Sequence, residues 1–206
     1  MNTTEIEYSG QIKSFNELFD LAKKQFVHYE QLEGIENWDD YDFSIDCAED
    51  QMKFKDMLQI RFIEELTEAS VSLPEPDEHF WEELGDALNF FLSAYTMLGV
   101  DLNKFRSPST FLNKNTKKHK PESFSEYCMF AYPIIEKVGW LCNLLKNRPW
   151  AQSNYLVSLQ DFDERLEALW WTFWSYLGDF GLTDEDVFEM FYRKYKVNEF
   201  RISTGY

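Results

Sequence analysis

Two short acidic segments carry the residue types that chemistry on phosphates requires. Glu65 and Glu68 are three residues apart, and so are Glu83 and Asp86. On a helix, side chains at that spacing lie on one face, so the two carboxylates of each pair are neighbours and repel each other. Apolar residues flank both pairs, which predicts that the acids border a buried stripe rather than the opposite, solvated face. A cation between the carboxylates would remove the repulsion.

The two acidic pairs are expected to face each other. Apolar residues at spacings of three and four predict one helix over about 48–73 and another over about 78–100, joined by a short proline-containing turn. Helices joined in this way lie antiparallel. At ~1.5 Å per residue, Glu68 and Glu83 are both roughly 8 Å from the turn. Four carboxylates at the same height favour a hard cation, which is Mg²⁺ or, as a substitute, Mn²⁺.

The C-terminal segment gathers positive charge in a chain whose formal net charge is −17. Lys194, Asn198 and Arg201 fall on one helical face at spacings of four and three. Arginine can contact a phosphate through two parallel hydrogen bonds and lysine supplies a point charge, so this face suits a triphosphate beside a metal cluster. The alternative is that the basic residues only complement the negative end of the helix dipole. Asn89, one turn beyond Asp86, either faces the same site or packs in the core.

Together, the acidic and basic segments resemble a known superfamily. The order EExxE at 64–68, then ExxD at 83–86, is similar to the all-α nucleoside triphosphate pyrophosphatases, which include MazG-like enzymes and dimeric dUTPases. Dimeric dUTPases and the related phage dCTP pyrophosphatases end in a pattern close to YxxKNxxNxxRQxxGY. This chain matches that pattern at Lys194, Asn198, Arg201, Gly205 and Tyr206. The resemblance covers residues 62–98 and about 166–206, and Tyr195 and Ile202 depart from the pattern.

The resemblance implies hydrolysis of a deoxynucleoside triphosphate to the monophosphate and pyrophosphate. The substrate is expected to be dUTP first, dCTP second, and a broader MazG-like range third. The implied Mg²⁺ ligands are Glu65, Glu68, Glu83 and Asp86. Glu65 and Glu68 are the implied catalytic residues, and Glu65 would orient or deprotonate the attacking water. The implied substrate-binding residues are Lys194, Asn198, Arg201, Tyr206 and Asn89, with Gln25 reading the base and Gln59 as its rival. A homodimer or higher homo-oligomer is also implied.

Composition and periodicity predict an all-α fold. The chain has 206 residues, of which 44% are hydrophobic and only eight are glycine, and this favours long helices over a many-turned β-fold. We expect a single domain over 1–206, a bundle of about six helices with a loop or mobile insertion around 101–160. The helices are predicted at about 15–33, 48–73, 78–100, 123–146, 159–179 and 183–200. A basic run at 114–120 is expected to be solvated, with phosphate binding as the alternative.

The charge and the cysteines exclude several classes of protein. A surface this acidic repels nucleic acid and anionic membranes, and the chain has no apolar run near the roughly 20 residues that a membrane helix needs. Three cysteines without a paired spacing and a polar N-terminus predict reduced thiols in the cytoplasm. The aromatic residues at 170–176 are expected in the core and a dimer interface. One alternative from another class is an inactive acidic interaction or decoy protein, whose acids would be scattered over the surface.

Overall fold

The computed structural model describes residues 6–32, 43–74, 77–112, 117–145 and 158–205, and within these ranges all regular secondary structure is helical. Its α-helices are α1 (Phe15–Leu32), α2 (Ala48–Lys55), α3 (Ile63–Val71), α4 (Asp77–Met97), α5 (Phe124–Leu144), α6 (Leu159–Asp179) and α7 (Asp184–Thr204). The all-α prediction is confirmed. Among the helices of these ranges, none combines the length and the apolar character that crossing a membrane requires.

The helix predicted at 48–73 differs from the structure in its middle. A π-helix, Asp56–Phe62, separates α2 from α3. Its hydrogen bonds reach one residue further along the chain than those of an α-helix, so side chains five residues apart become neighbours. Arg61 and Asp56 are such a pair, with 3.6 Å between Nε and Oδ2. Periodic apolar residues cannot reveal this change, because they continue through it.

Helix α4 is the centre of the bundle. It packs against α1, α3, the π-helix and α7, and it forms an antiparallel hairpin with α3. Helices α5 and α6 pack on each other, and α5 also contacts α3 and the π-helix. The hairpin that carries both acidic segments is therefore enclosed by other helices on several sides.

Aromatic rings fill the core where α4 meets α6. The Phe91 ring lies 4.2 Å from that of Phe173 and 5.8 Å from that of Trp170, measured between centroids. Trp170, Phe173 and Trp174 are fully buried, so this segment belongs to the core as expected. Trp171 is the one partly exposed ring of the aromatic segment, which leaves little of it for a dimer interface.

The described parts of the segment around 101–160 pack against the bundle. They contain two short 3₁₀ turns, Leu102–Lys104 and Pro108–Thr110, and the whole of α5. Lys118 Nζ lies 3.2 Å from Asp186 Oδ1, and Lys120 Nζ lies 2.9 Å from Asp77 Oδ1. These two lysines of the basic run therefore attach the loop to the beginnings of α7 and α4. Residues 113–116 and 146–157 lie outside the described residues.

Side-chain caps fix where the helices begin. Thr183 and Asp186 form a complete capping box at the start of α7, in which each side chain accepts a hydrogen bond from the other residue's backbone N–H. Ser123 Oγ accepts from the Glu126 N–H at the start of α5. At the other end of α7, Gly205 has a φ of 66°, a left-handed conformation that glycine adopts without steric cost.

Candidate metal centre

One large cavity opens between α1, α4 and α7 on one side and α2, the π-helix and α3 on the other. Its volume is about 840 Å³, within the range of small-molecule sites. Acids of α3 and α4 line one wall, and Lys194, Asn198 and Arg201 of α7 line another. The rest of the lining mixes polar residues with apolar side chains, among them Phe26, Met57, Phe90 and Met97.

Three of the four predicted metal ligands meet in this cavity. Glu65, Glu83 and Asp86 each place a carboxylate oxygen within 4.8 Å of the others. Glu68 also lines the cavity, but it is exposed and lies outside this group of three. The antiparallel hairpin accounts for the meeting, because it puts α3 and α4 side by side at the level of both motifs. Oxygen-only donor sets of this kind suit Mg²⁺ or Mn²⁺.

Close packing of α7 against α4 brings the basic residues to the acids. Gly85 is buried inside the second acidic motif, and a Cβ atom at that position would lie 3.2 Å from Met190 Cγ. A larger residue would require the Met190 side chain to shift. Met190 is one turn before Lys194, and Lys194 contacts Asp86, with 2.6 Å between Nζ and Oδ2. Glycine weakens a helix interior, and here it permits close packing of α7 against α4.

Helix α5 braces the first acidic motif from outside the cavity. The Tyr127 hydroxyl donates a hydrogen bond to the Leu66 carbonyl oxygen, which belongs to the turn that carries Glu65. Both residues are buried. A bonded tyrosine at this point restricts movement of α3 relative to α5, and so it helps to hold Glu65 in place.

Burial and mutual repulsion shift the acids' titration. The pKa of Glu65 is raised to about 8. Burial is the largest cause of this rise, and repulsion from Asp86, Glu68 and Glu83 raises the pKa further. Burial and then repulsion from Asp86 raise the pKa of Glu83. Burial also raises the pKa of Asp86, although the Lys194 ammonium opposes the shift. Even with Lys194 present, the cluster favours protonated acids, and a divalent cation would supply the missing positive charge.

In buffer containing EDTA, the protein is expected to lose stability as the pH rises from about 5 to about 8. The pKa of Glu65 is 4.5 in an unstructured chain and about 8 in the folded protein, so in this window the folded state binds more protons. The free energy of unfolding therefore falls with rising pH. Thermal melts at several pH values measure this slope. Glu65→Gln should reduce the dependence of the melting temperature on pH, and Glu64→Gln, at an exposed neighbouring position, should not. Equal slopes in the wild type and both variants would contradict the expectation.

Gln25 and Asn89 form a buried pair at the inner end of the cavity. Gln25 Nε2 donates to Asn89 Oδ1 at 2.6 Å, across 64 residues of sequence. Asn89 lines the cavity, while Gln25 lies behind it, and Gln25 Oε1 is buried without a hydrogen-bond partner among the described residues. Gln59, the rival for base recognition, is exposed and does not line the cavity. The bond uses one of the two lone pairs of the Asn89 oxygen, so the other lone pair and the NH₂ group remain for a ligand.

Some cavity residues were not singled out from the sequence. Lys53 and Arg61 line the cavity mouth, and Tyr29 lines the α1 side. Arg61 lies four residues before Glu65, one helical turn away, and that spacing is a signal that could have identified it. Nothing in the sequence marked Tyr29 or Lys53. Tyr206, predicted to contact substrate, lies outside the described residues.

Comparison with known proteins adds no further identification. The chain matches no protein-family model, no curated protein and no solved structure. What can be inferred about its function therefore comes from its own residues and their geometry.

Proposed function

We propose that this protein is a metal-dependent pyrophosphohydrolase that converts a deoxynucleoside triphosphate, with dUTP the first candidate, to the monophosphate and pyrophosphate. The observation that carries the proposal is the meeting of Glu65, Glu83 and Asp86 in a cavity whose other wall is basic. An inactive acidic interaction protein, the alternative from another class, gives no reason for three acids to converge beside Lys194. The resemblance to all-α nucleoside triphosphate pyrophosphatases supports the same assignment.

Mg²⁺ held by Glu65, Glu83 and Asp86 would neutralise phosphate oxygens and stabilise the charge that develops during phosphoryl transfer. Glu68 lines the same cavity and is close enough to raise the pKa of Glu65 by repulsion, so we keep it as a fourth, outer ligand. Glu65 would also orient the attacking water or accept its proton.

The α7 wall would bind the phosphates and the sugar. Lys194 is already beside the acids, through its contact with Asp86, and Arg201 is exposed on the same wall. A guanidinium group there can hold two phosphate oxygens at once. Asn198 lines the cavity although only 3% of its surface is exposed. Packing against its neighbours therefore fixes the orientation of its side-chain amide. Arg61, at the mouth, is a further cation within reach of a phosphate chain.

The apolar part of the cavity lining suits a nucleobase. Phe26 and Phe90 provide apolar walls for a ring, and the Asn89 NH₂ group provides a donor. That donor complements a carbonyl oxygen of uracil, and it equally complements the oxygen or the N3 atom of cytosine. The order of the proposal, dUTP ahead of dCTP and a broad range of nucleotides third, rests on the resemblance.

Pyrophosphate release from a panel of nucleotides tests the proposal. The panel contains dUTP, dCTP, dTTP, dATP, dGTP and UTP, each with Mg²⁺ and with EDTA. We expect release with a pyrimidine deoxynucleotide, dependence on Mg²⁺, and loss of release in Glu83→Gln. Glu82→Gln, its neighbour in sequence outside the group of three acids, is the matched control and should retain activity. No release from any nucleotide in the panel would overturn the proposal.

A further inference from the structure

We infer that the bound nucleotide lies lengthwise along α4, with its phosphates at Asp86 and the far edge of its base at Ser93, and that Ser93 is a base-binding residue. The inference rests on the proposed function, because it takes the acidic end of the cavity as the phosphate end. Ser93 lies outside both acidic motifs, and the resemblance assigns it no role.

One face of α4 lines the cavity from Glu83 to the end of the helix. Its cavity residues are Glu83, Asp86, Asn89, Phe90, Ser93 and Met97. Successive members are at most four residues apart, so they form one continuous stripe. At ~1.5 Å per residue the stripe is roughly 21 Å long, and Ser93 lies roughly 10.5 Å beyond Asp86. That separation is comparable to the length of a nucleotide from its α-phosphate to the far edge of its base.

A contact between two core rings shows how the opposite wall lies relative to this stripe. The centroids of Phe62 and Phe91 are 5.6 Å apart. Because α3 and α4 form an antiparallel hairpin, residues before Phe62 lie level with residues after Phe91. The end of the cavity away from the acids is therefore lined by Met52, Met57 and Met97, together with the oppositely charged Lys53 and Asp56. Thioether side chains are flexible and make favourable contacts with aromatic rings, so this end suits a base better than a phosphate chain.

Helix α7 runs in the same direction as α4 along the cavity. Near the start of both helices, Lys118 Nζ lies 4.7 Å from the centre of the Trp81 ring and 3.2 Å from Asp186 Oδ1. Further along both helices, Lys194 contacts Asp86. The contacts thus advance together, and residues after Lys194 lie level with residues after Asp86.

Two buried amides come next along the cavity. Asn89 is three residues beyond Asp86, and Asn198 is one turn beyond Lys194. They are 8% and 3% exposed, and both line the cavity. At this level they would meet the sugar and the near edge of the base. The order of acids, amides and hydroxyl along the cavity therefore parallels the order of phosphates, sugar and base in a nucleotide.

Ser93 leaves a recess in the α4 stripe. It lies between Phe90 and Met97, has the smallest side chain of the stripe, and is 7% exposed although it lines the cavity. A serine hydroxyl both donates and accepts hydrogen bonds, so it can bond either the oxygen or the amino group at position 4 of a pyrimidine. A buried hydroxyl gives up hydrogen bonds to water, and a base in the recess would replace them.

A thermodynamic cycle tests the contact between Ser93 and the base. Dissociation constants are measured with Mg²⁺ for the non-hydrolysable α,β-imido analogues of dUTP and dCTP, and for the pyrimidin-2-one analogue, which has no group at position 4. The wild type is expected to bind the last ligand about 5- to 10-fold more weakly than the better of the other two, the effect of one hydrogen bond. Ser93→Ala should remove that difference. Ser70→Ala, the same change at a buried serine of α3 outside the cavity lining, is the matched control and should behave as wild type.

A second variant separates the base from the phosphates. Leucine in Ser93→Leu would fill the recess, so the nucleotide analogues should bind roughly 100-fold more weakly. Tripolyphosphate with Mg²⁺, which occupies only the acidic end, should bind as it does to the wild type. The melting temperature should not fall, because the added carbons extend into the cavity and not into the core.

The outcomes distinguish this inference from the proposed function. An equal loss on removing the position-4 group in wild type and Ser93→Ala, or a Ser93→Leu protein that binds nucleotides normally, would overturn the inference alone. The expected cycle without pyrophosphate release from any nucleotide would support the inference and overturn the proposed function. A wild type that binds none of the nucleotide analogues would overturn both.

Discussion

Replacing Glu65 with Gln is expected to lower kcat for pyrophosphate release by about 100-fold or more while raising the melting temperature of the protein in EDTA at alkaline pH. The loss of activity follows because glutamine can neither accept a proton from water nor neutralise a divalent cation. The gain in stability follows because the charged form of Glu65 is half-buried and is repelled by Asp86, Glu68 and Glu83. Opposite signs for activity and stability distinguish a functional acid from one that only supports the fold.

The measurement pairs steady-state kinetics with thermal melts on the same preparations. Glu64→Gln removes one negative charge at the adjacent, exposed position and should change neither quantity appreciably. A Glu65→Gln protein that melts lower than wild type at alkaline pH would show that the acid stabilises the fold through contacts. Full activity in that variant would remove Glu65 from the catalytic group and leave Glu68 as the remaining candidate.

Phe91→Ala is expected to lower the free energy of unfolding by about 3–5 kcal/mol, the range for removing a buried aromatic ring. Phe91 is fully buried, and its ring is surrounded by those of Phe62, Tyr95, Trp170 and Phe173. These rings come from the π-helix, α4 and α6, so a cavity here loosens three elements at once. The surrounding rings are themselves tightly packed and have little freedom to collapse into the space.

Urea denaturation at a fixed protein concentration measures the effect of Phe91→Ala. Phe91→Leu keeps most of the volume and is expected to cost less than about 1.5 kcal/mol. A loss below about 1 kcal/mol for the alanine variant would mean that the core relaxes into the cavity. Because Phe62 ends the π-helix just before Glu65, Phe91→Ala should also lower the stabilisation that the proposed Mg²⁺ binding would give.

The sequence predicted the elements better than it predicted the contacts between them. Residues three or four apart lie on the same face of a helix. This spacing, together with the short turn between the helices, was enough to predict that Glu65, Glu83 and Asp86 lie side by side. The same reasoning put Glu68 level with Glu83 but could not show that its side chain lies outside the group of three. Height along a helix follows from counting residues, whereas the direction of a side chain depends on how two helices are rotated against each other.

Contacts between distant residues had no signal in a single sequence. Gln25 and Asn89 are 64 residues apart, and neither lies in a motif. Their bond depends on α1 packing against α4, which only the folded bundle specifies. The exposed face of α5 is a similar case, because its apolar residues resemble ordinary core positions in sequence, and only the packing of α5 on α6 and α3 decides which side of the helix is covered.

The π-helix changes which residues share a wall of the cavity. Asp56 and Glu65 are nine residues apart, and at about 100° per residue a regular α-helix would put them on opposite sides. Both nevertheless line the same cavity. The π-helix between them has more residues per turn, so it changes the angle at which the following side chains leave the helix axis. The effect is the same as that of inserting a residue into a continuous α-helix. A helical wheel drawn through 48–71 therefore assigns Asp56 to the side opposite Glu65. The length of this stretch therefore helps to set which side of α2 faces the cavity.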